Sequence, residues 1–411
     1  MAEAAGEGRR KGPLSPWPAA LLALYNNDMS QRARLFFAVV STSLMAYVAV
    51  GSLLSRVMGD TTYGQLSVFG EVIRLVLDAY VEPVNLERTM AGATLGLTDA
   101  LDGDSAYLNA EDLKAQQAPV KDSDGDIGAV LTRRYAFLMV VATRPGSPAD
   151  KAGLRSGDIL KTIDNRHTRP LAPAVGERLL RGAPGSIVKL KVLRQGSDPL
   201  DLSVVRERIQ RTPPKGRILE DGSGYVRVGE FPAKTADDAR SEIESLRKSG
   251  ARRMVLDLRG SGYGLPAEGV KVAELFLKGG VVTKLSGRTV PEQVISADPG
   301  RSVWDLPLAV IVDEGTAGPG EIVAAALLDS GHVAIVGERT FGRAGVQKTL
   351  PMPEGGLMIT VAKYSSPKGT AIHGRGVEPT VPIEVPDEPP ADGKDKVLEK
   401  ALEVLRAEKA A

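Results

Sequence analysis

The side chains that most often carry out chemistry in enzymes are scarce in this sequence. Its 411 residues include no cysteine and only three histidines, His167, His332 and His373, which lie far apart along the chain. The lack of cysteine excludes disulfides, thiolate metal sites and a cysteine nucleophile. Three scattered histidines give little support to a histidine metal site or a Ser-His-Asp triad. We therefore expect no metal and no cofactor.

The charge balance argues against a nucleic-acid partner. The chain has 52 Lys and Arg residues against 51 Asp and Glu residues, without the basic excess that is typical of nucleic-acid binding. An apolar content of 43% and a charged content of 25% are ordinary for a globular protein. The length is sufficient for two or three domains of roughly 100–200 residues each.

An uncharged stretch near the N-terminus, Leu35–Leu54, is long enough to cross a bilayer. Arg32 and Arg34 precede it, and positive charge on that side keeps the N-terminus cytoplasmic. This predicts a cytoplasmic tail over 1–34, a single transmembrane helix over 35–55 in the inner membrane, and a periplasmic or otherwise extracytoplasmic location for the rest. A cleaved signal peptide is the alternative.

From Ile127 to Arg208 the sequence has a β-rich pattern with short helices. Ser147 and Pro148 are typical of a helix start, and Gly153 of a helix end. This block resembles a PDZ domain of the kind found in exported bacterial proteases. PDZ domains bind the C-terminal residues of other chains as an added strand; a PDZ fold without a ligand is the alternative. The resemblance implies that the terminal carboxylate is held by a backbone loop formed by Asp126, Ile127, Gly128 and Ala129.

The second half of the chain alternates buried-strand patterns with helices, which predicts an α/β domain with a largely parallel sheet. Its glycine-rich segments resemble the C-terminal processing (tail-specific) serine proteases of peptidase family S41. The family forms LDLRxNPGG, SASASEI and VGExTFGKGxVQ correspond to Val255–Leu265, Thr316–Ile322 and Val336–Gln347. The likeness spans about Tyr63 to Glu384 and implies a ClpP/crotonase-like protease domain.

In that family the middle serine of SASASE is the nucleophile and the lysine of FGKG is its general base. These positions are Gly318 and Arg343 here, 25 residues apart as in the family. Glycine has no hydroxyl, and a guanidinium with a pKa above about 12 cannot accept the proton. The resemblance therefore implies a degenerate member that lacks both residues of the dyad.

The oxyanion site is altered as well. The family uses the backbone N–H of the residue after the nucleophile, which is Pro319 here and has none. The glycine turn that supplies the other donor reads GSGYG over Gly260–Gly264. Pro319 with Glu321 in the first turn is typical of an ordinary helix start. We therefore expect a plain strand-to-helix connection instead of a catalytic turn.

Two supporting positions of the family are retained. Gln347 corresponds to the residue that supports the lysine, and Asp329 to a helix acid that some members need for activity. We interpret both as packing and hydrogen-bonding residues. Four hydroxyl residues lie in segments that resemble the family's motifs, and none has a candidate base at a recognisable spacing: Thr316, Ser261, Ser365 and Ser366.

These features predict a multidomain α/β and α+β protein. We place a helical region at 60–119, the PDZ domain at 120–208, the protease-like domain at 209–385 and a C-terminal tail at 386–411. An apolar stripe from Phe69 to Tyr80 predicts an amphipathic helix that is covered by the protein's own core or pairs with another chain.

The leading functional hypothesis is a membrane-anchored pseudoprotease. It would hold the C-terminal peptides of envelope proteins and would regulate or scaffold an active homologue or a second copy of itself. The alternatives are an active endopeptidase with a non-standard catalytic set, and a structural subunit of an envelope complex.

Overall fold

Two helices open the folded part of the chain in the computed structural model, which describes residues 35–36, 39–46, 60–118, 124–384 and 394–407. Helix α1 is Asp60–Ala79 and helix α2 is Leu86–Asp99. Residues Met1–Thr89 form one unit and Met90–Ala411 a second. Helix α1 confirms the predicted amphipathic helix.

The predicted membrane anchor lies largely outside the described residues. Of the span 35–55, only 35–36 and 39–46 are described, and both stretches are helical. The cytoplasmic tail predicted over 1–34 is not among the described residues either. Within the described ranges, no helix has both the length and the apolar character needed to cross a membrane. The anchor therefore stays a prediction.

The PDZ region is a six-stranded antiparallel sheet with two short helices. Its strands pair in the order β2-β3-β4-β6-β7, with β5 paired to β4, so β2 lies at an edge of the sheet. The elements are β2 Ala129–Arg134, β3 Phe137–Thr143, α4 Pro148–Lys151, β4 Ile159–Ile163, β5 Arg166–His167, α5 Pro173–Leu180, β6 Ile187–Leu193 and β7 Leu200–Val205. As predicted, Ser147 caps α4 by accepting a hydrogen bond from the Asp150 N–H.

The protease-like region contains a six-stranded sheet in the order β17-β14-β13-β10-β9-β8. All of its strand pairs are parallel except β8 with β9, which agrees with the expected largely parallel sheet. The elements are β8 Lys215–Ile218, β9 Gly224–Arg227, α6 Thr235–Lys248, β10 Met254–Asp257, α7 Pro266–Glu274, β13 Leu308–Val312, α8 Pro319–Asp329, β14 Ala334–Gly337 and β17 Val381–Pro382.

Helices cover both faces of this sheet. Strand residues such as Leu256 and Val310 pack with α6, α7 and α8 in one buried cluster. Their neighbours, such as Val255 and Ile311, pack on the opposite face against the last helix, α9 (Lys396–Ala407). The C-terminal segment predicted as a tail thus completes the core, because its apolar residues follow one another at helical spacing.

A second sheet joins the segment before the PDZ region to the protease-like region. It has the order β1-β16-β11-β12, with β15 paired to β16. Its elements are β1 Ala106–Asn109, β11 Val281–Ser286, β12 Gln293–Ser296, β15 Gly345–Met352 and β16 Gly355–Ser365. Strand β1 and helix α3 (Ala110–Gln117) fall in the region predicted as helical, so that region also contributes a strand. This strand positions the preceding turn, Asp102–Ser105.

Candidate functional site

The position of the family nucleophile lies on a sharp turn between β13 and α8. Gly318 has φ 52° and ψ −110°, a conformation that glycine adopts far more readily than residues with a side chain. The expectation of a plain strand-to-helix connection is therefore wrong, although Pro319 does begin the helix as predicted. A Cβ at position 318 would lie 3.5 Å from the nearest atom, the Arg343 carbonyl oxygen. The turn has no side chain at this position.

A buried carboxylate holds this turn to the loop that carries Arg343. Glu321 Oε2 accepts the N–H groups of Gly318 (3.0 Å) and Arg343 (2.8 Å). Glu321 Oε1 accepts the Gly342 N–H (2.6 Å) and the Thr340 hydroxyl (2.5 Å). Burial raises the pKa of Glu321 to about 7, against the opposing effect of these hydrogen bonds. Sequence reasoning considered Glu321 only as a helix-start residue and missed this role.

Arg343 is paired with a residue from the turn before β1. Its Nε lies 2.9 Å from each carboxylate oxygen of Asp104, whose side chain is 5% exposed. Burial lowers the pKa of Arg343, but Asp104 and Glu177 more than offset this and raise it above its usual value. A guanidinium held in this way cannot accept a proton from a hydroxyl. Sequence reasoning did not identify Asp104.

Part of the backbone near the expected oxyanion hole has no free donor to offer. The N–H groups of Ser261 and Gly262 donate to the carbonyls of Leu258 (3.2 Å) and Gly260 (3.0 Å) within the glycine turn. Pro319 has no N–H to offer. The donor that the family takes from the residue after the nucleophile position is therefore missing.

The nearby hydroxyls are in no better position to act as nucleophiles. Thr316 is completely buried, and its Oγ1 lies 2.9 Å from both the Leu258 carbonyl and a carboxylate oxygen of Asp313. Ser261 is likewise completely buried. Ser366 is 4% exposed, and its Oγ accepts the Thr370 N–H. A substrate carbonyl could not reach these groups without rearrangement of the fold.

The two retained supporting residues make contacts of an ordinary structural kind. Gln347 donates to the Thr360 hydroxyl on the neighbouring strand (3.0 Å). Asp329 accepts the Lys368 N–H (2.8 Å) at the far end of α8, about 16 Å along the helix from Gly318 at 1.5 Å per residue. The structure therefore does not bring Asp329 to the former dyad. Among the described residues, no group of three or more His, Asp or Glu side chains could hold a metal ion.

The predicted carboxylate-binding loop is formed, but one of its own side chains occupies it. Asp126 Oδ1 accepts the N–H groups of Ile127 (2.7 Å) and Gly128 (3.1 Å), and Asp126 Oδ2 pairs with Arg181 (3.2 Å). Ala129 begins the edge strand β2. A peptide carboxylate would therefore have to displace the Asp126 carboxylate to use these two donors.

A cleft of about 540 Å³ extends from this loop to Arg343, at the position of the family's base. The start of β2 and helix α5 form one side of it, and the glycine turn with Arg343 forms the other. Arg144 crosses between the two sides, since its guanidinium lies 4.4 Å from the centre of the Tyr263 ring and 2.6 Å from Glu230.

Comparisons with known proteins agree with this architecture. The profile of peptidase family S41 matches residues 222–383, and a PDZ profile matches residues 139–194. The carboxy-terminal processing protease CtpA of Bacillus subtilis is 30% identical, over 87% of this chain and 79% of its own. The carboxy-terminal-processing protease of Bartonella bacilliformis is 32% identical, over 80% of this chain and 77% of its own.

A solved structure shows the same fold. The photosystem II D1 C-terminal processing protease superposes with a TM-score of 0.67 at 28% identity, covering 79% of this chain and 90% of that one. The matched relatives extend over both the PDZ and the protease-like regions, so the likeness is not confined to one domain. The chain therefore belongs to the C-terminal processing proteases of peptidase family S41 and carries a PDZ domain.

Proposed function

We propose that this protein is a pseudoprotease, anchored in the inner membrane, that holds the C-terminal segments of envelope proteins without cleaving them. The observation that carries the proposal is the pair of substitutions at the former dyad. Gly318 offers no nucleophile, and Arg343 is held as a cation by Asp104. The hydrolytic steps of a serine-lysine dyad have no group to perform them.

The retained cleft supports a binding role. The relatives are named for processing carboxy termini, and the PDZ loop and Arg343 here open onto one cavity. A chain end bound at the PDZ edge would thus lie near Arg343 and would remain uncleaved. The apolar stripe on α1 supports pairing with an active homologue or with a second copy.

The first expected result concerns the chemistry of the ligand. Full-length protein should bind peptides with a free C-terminal carboxylate at least about tenfold more tightly than the same peptides ending in an amide, because the loop donors recognise an anion. Fluorescence anisotropy with a panel of acid and amide peptide pairs measures the ratio. Equal affinities for the two forms would contradict recognition by the loop at 126–129.

The second expected result concerns topology. Alkaline phosphatase fused after residue 60 should be active in cells, because Arg32 and Arg34 keep the N-terminal side of the predicted span in the cytoplasm. A fusion before residue 30 is the matched control and should be inactive. An inactive fusion after residue 60 would overturn the proposed orientation.

A further inference from the structure

The edge of the PDZ sheet is already occupied by other parts of the same chain. PDZ ligands add as a strand through main-chain hydrogen bonds to such an edge. Here the Leu131 N–H donates to the Glu177 carboxylate on α5 (3.1 Å), and the Arg133 N–H donates to the Gly103 carbonyl (2.9 Å). Two of the donors that an incoming peptide would use on β2 are therefore engaged.

The turn that supplies Gly103 fits closely against β2. Asp102 Oδ1 accepts the N–H groups of Asp104 (3.0 Å) and Ser105 (2.8 Å), which shapes the turn. The Thr132 hydroxyl donates to Asp104 Oδ1 (3.1 Å). A Cβ at Gly103 would lie 2.3 Å from the Arg133 carbonyl oxygen, so the contact requires glycine. We refer to the turn Asp102–Ser105 as the plug.

Arg343 connects the plug to the former active site. Its Nε is within 2.9 Å of both Asp104 carboxylate oxygens, and its backbone N–H donates to Glu321 beside Gly318. Its charge also acts on Glu177, the other group that occupies the β2 edge, and there opposes the effect of burial, which raises the pKa of Glu177. Arg343 thus contacts the plug through Asp104 and attracts Glu177, the other group at the β2 edge.

We propose that Arg343 latches the plug onto the β2 edge, so that the PDZ groove is closed at rest and accepts a C-terminal segment only after the plug leaves. The choice of a C-terminal segment as the ligand rests on the proposed function, whereas the closure of the groove by the plug does not. The apparent affinity for a peptide is then reduced by the fraction of molecules whose groove is open. Whatever pulls Asp104 away from Arg343 opens the groove.

Amide hydrogen exchange over 129–134 in the full-length protein tests the latch without any ligand. The double variant Asp104→Asn/Arg343→Met removes both charges together, so that neither is left buried and unpaired. Exchange at Arg133, whose N–H is bonded to the plug, should rise about tenfold or more. The matched control is Asp112→Asn/Arg178→Met, which removes an Arg–Asp pair between α3 and α5 (2.7 Å) and should leave this exchange unchanged.

A second variant acts on the plug without touching the charges. Gly103→Ala introduces a Cβ that β2 cannot accommodate, and it should raise exchange over the same segment. Unchanged exchange in both variants, with melting temperatures near that of the wild type, would overturn the proposal. If the double variant does not fold, the exchange measured in Gly103→Ala alone decides whether the plug covers the β2 edge.

The peptide panel separates this proposal from the proposed function. If both are correct, the double variant binds free-carboxylate peptides about tenfold more tightly than the wild type. Raised exchange without peptide binding in any variant supports the plug and refutes the binding role. Equal peptide affinity in wild type and variant, with unchanged exchange, supports the binding role and refutes the plug.

Discussion

Gly318→Ser alone should leave the protein without peptidase activity, and the wild type should be equally inactive. The restored hydroxyl would face Arg343, which cannot take its proton, and Pro319, which has no N–H for an oxyanion. Loss of a catalytic nucleophile or base costs about 10⁶ in kcat in a well-studied serine protease. The φ of 52° at this position also makes a serine there strained, at about 1–3 kcal/mol. Cleavage of a denatured, C-terminally tagged substrate and labelling by a fluorophosphonate probe measure the outcome.

The structure also indicates why restoring the family residues is insufficient. In Gly318→Ser/Pro319→Ala/Arg343→Lys, the new amine would lie beside the Asp104 carboxylate, which favours the charged ammonium over the neutral base. We therefore expect this triple variant to be inactive and the further change Asp104→Asn to offer the best prospect of turnover. Wild-type cleavage that is abolished by Thr316→Ala or Ser261→Ala would refute the pseudoprotease proposal. Cleavage that persists in both of these variants and in Ser365→Ala/Ser366→Ala would indicate a contaminating protease.

Glu321→Ala should destabilise the folded protein by about 3–5 kcal/mol. The change leaves the Thr340 hydroxyl and three backbone N–H groups without their acceptor, and each unsatisfied buried group costs about 1–3 kcal/mol, not additively. Urea unfolding measures the loss. Glu314→Ala is the matched control, because that residue is exposed in the same connection and should change stability by less than about 0.5 kcal/mol. Equal stabilities for the two variants would contradict the structural role of Glu321.

The same carboxyl predicts a pH dependence of stability. Its pKa is raised from 4.5 to about 7 in the folded protein, so folding favours its protonated form. The stabilisation is complete below about pH 4.5 and is lost as the pH rises through about 7. Between about pH 5 and about pH 8, the wild type should therefore lose more free energy of unfolding than Glu321→Gln, in which this group does not titrate. Parallel losses in the two proteins would contradict the raised pKa.

The sequence alone determined the family, and its resemblance to the family predicts the loss of the dyad at positions 318 and 343. That prediction depends only on which residues stand at these two positions, and side-chain identity needs no coordinates. The alternation of strands and helices was also predictable, because each element buries its apolar residues at its own period. The Ser147 cap and the start of α8 at Pro319 are local signals of the same kind.

Only the tertiary structure decided what surrounds these positions. Asp104 meets Arg343 across 239 residues, and the pairing of β1 with β16 brings them together, which no local pattern encodes. The sharp turn at Gly318 was missed because Pro319 and Glu321 also fit an ordinary helix start. The occupation of the β2 edge by other parts of the chain could not be predicted from the sequence either. Backbone donors are alike in every sequence, and their partners are set by which segments the fold places beside them.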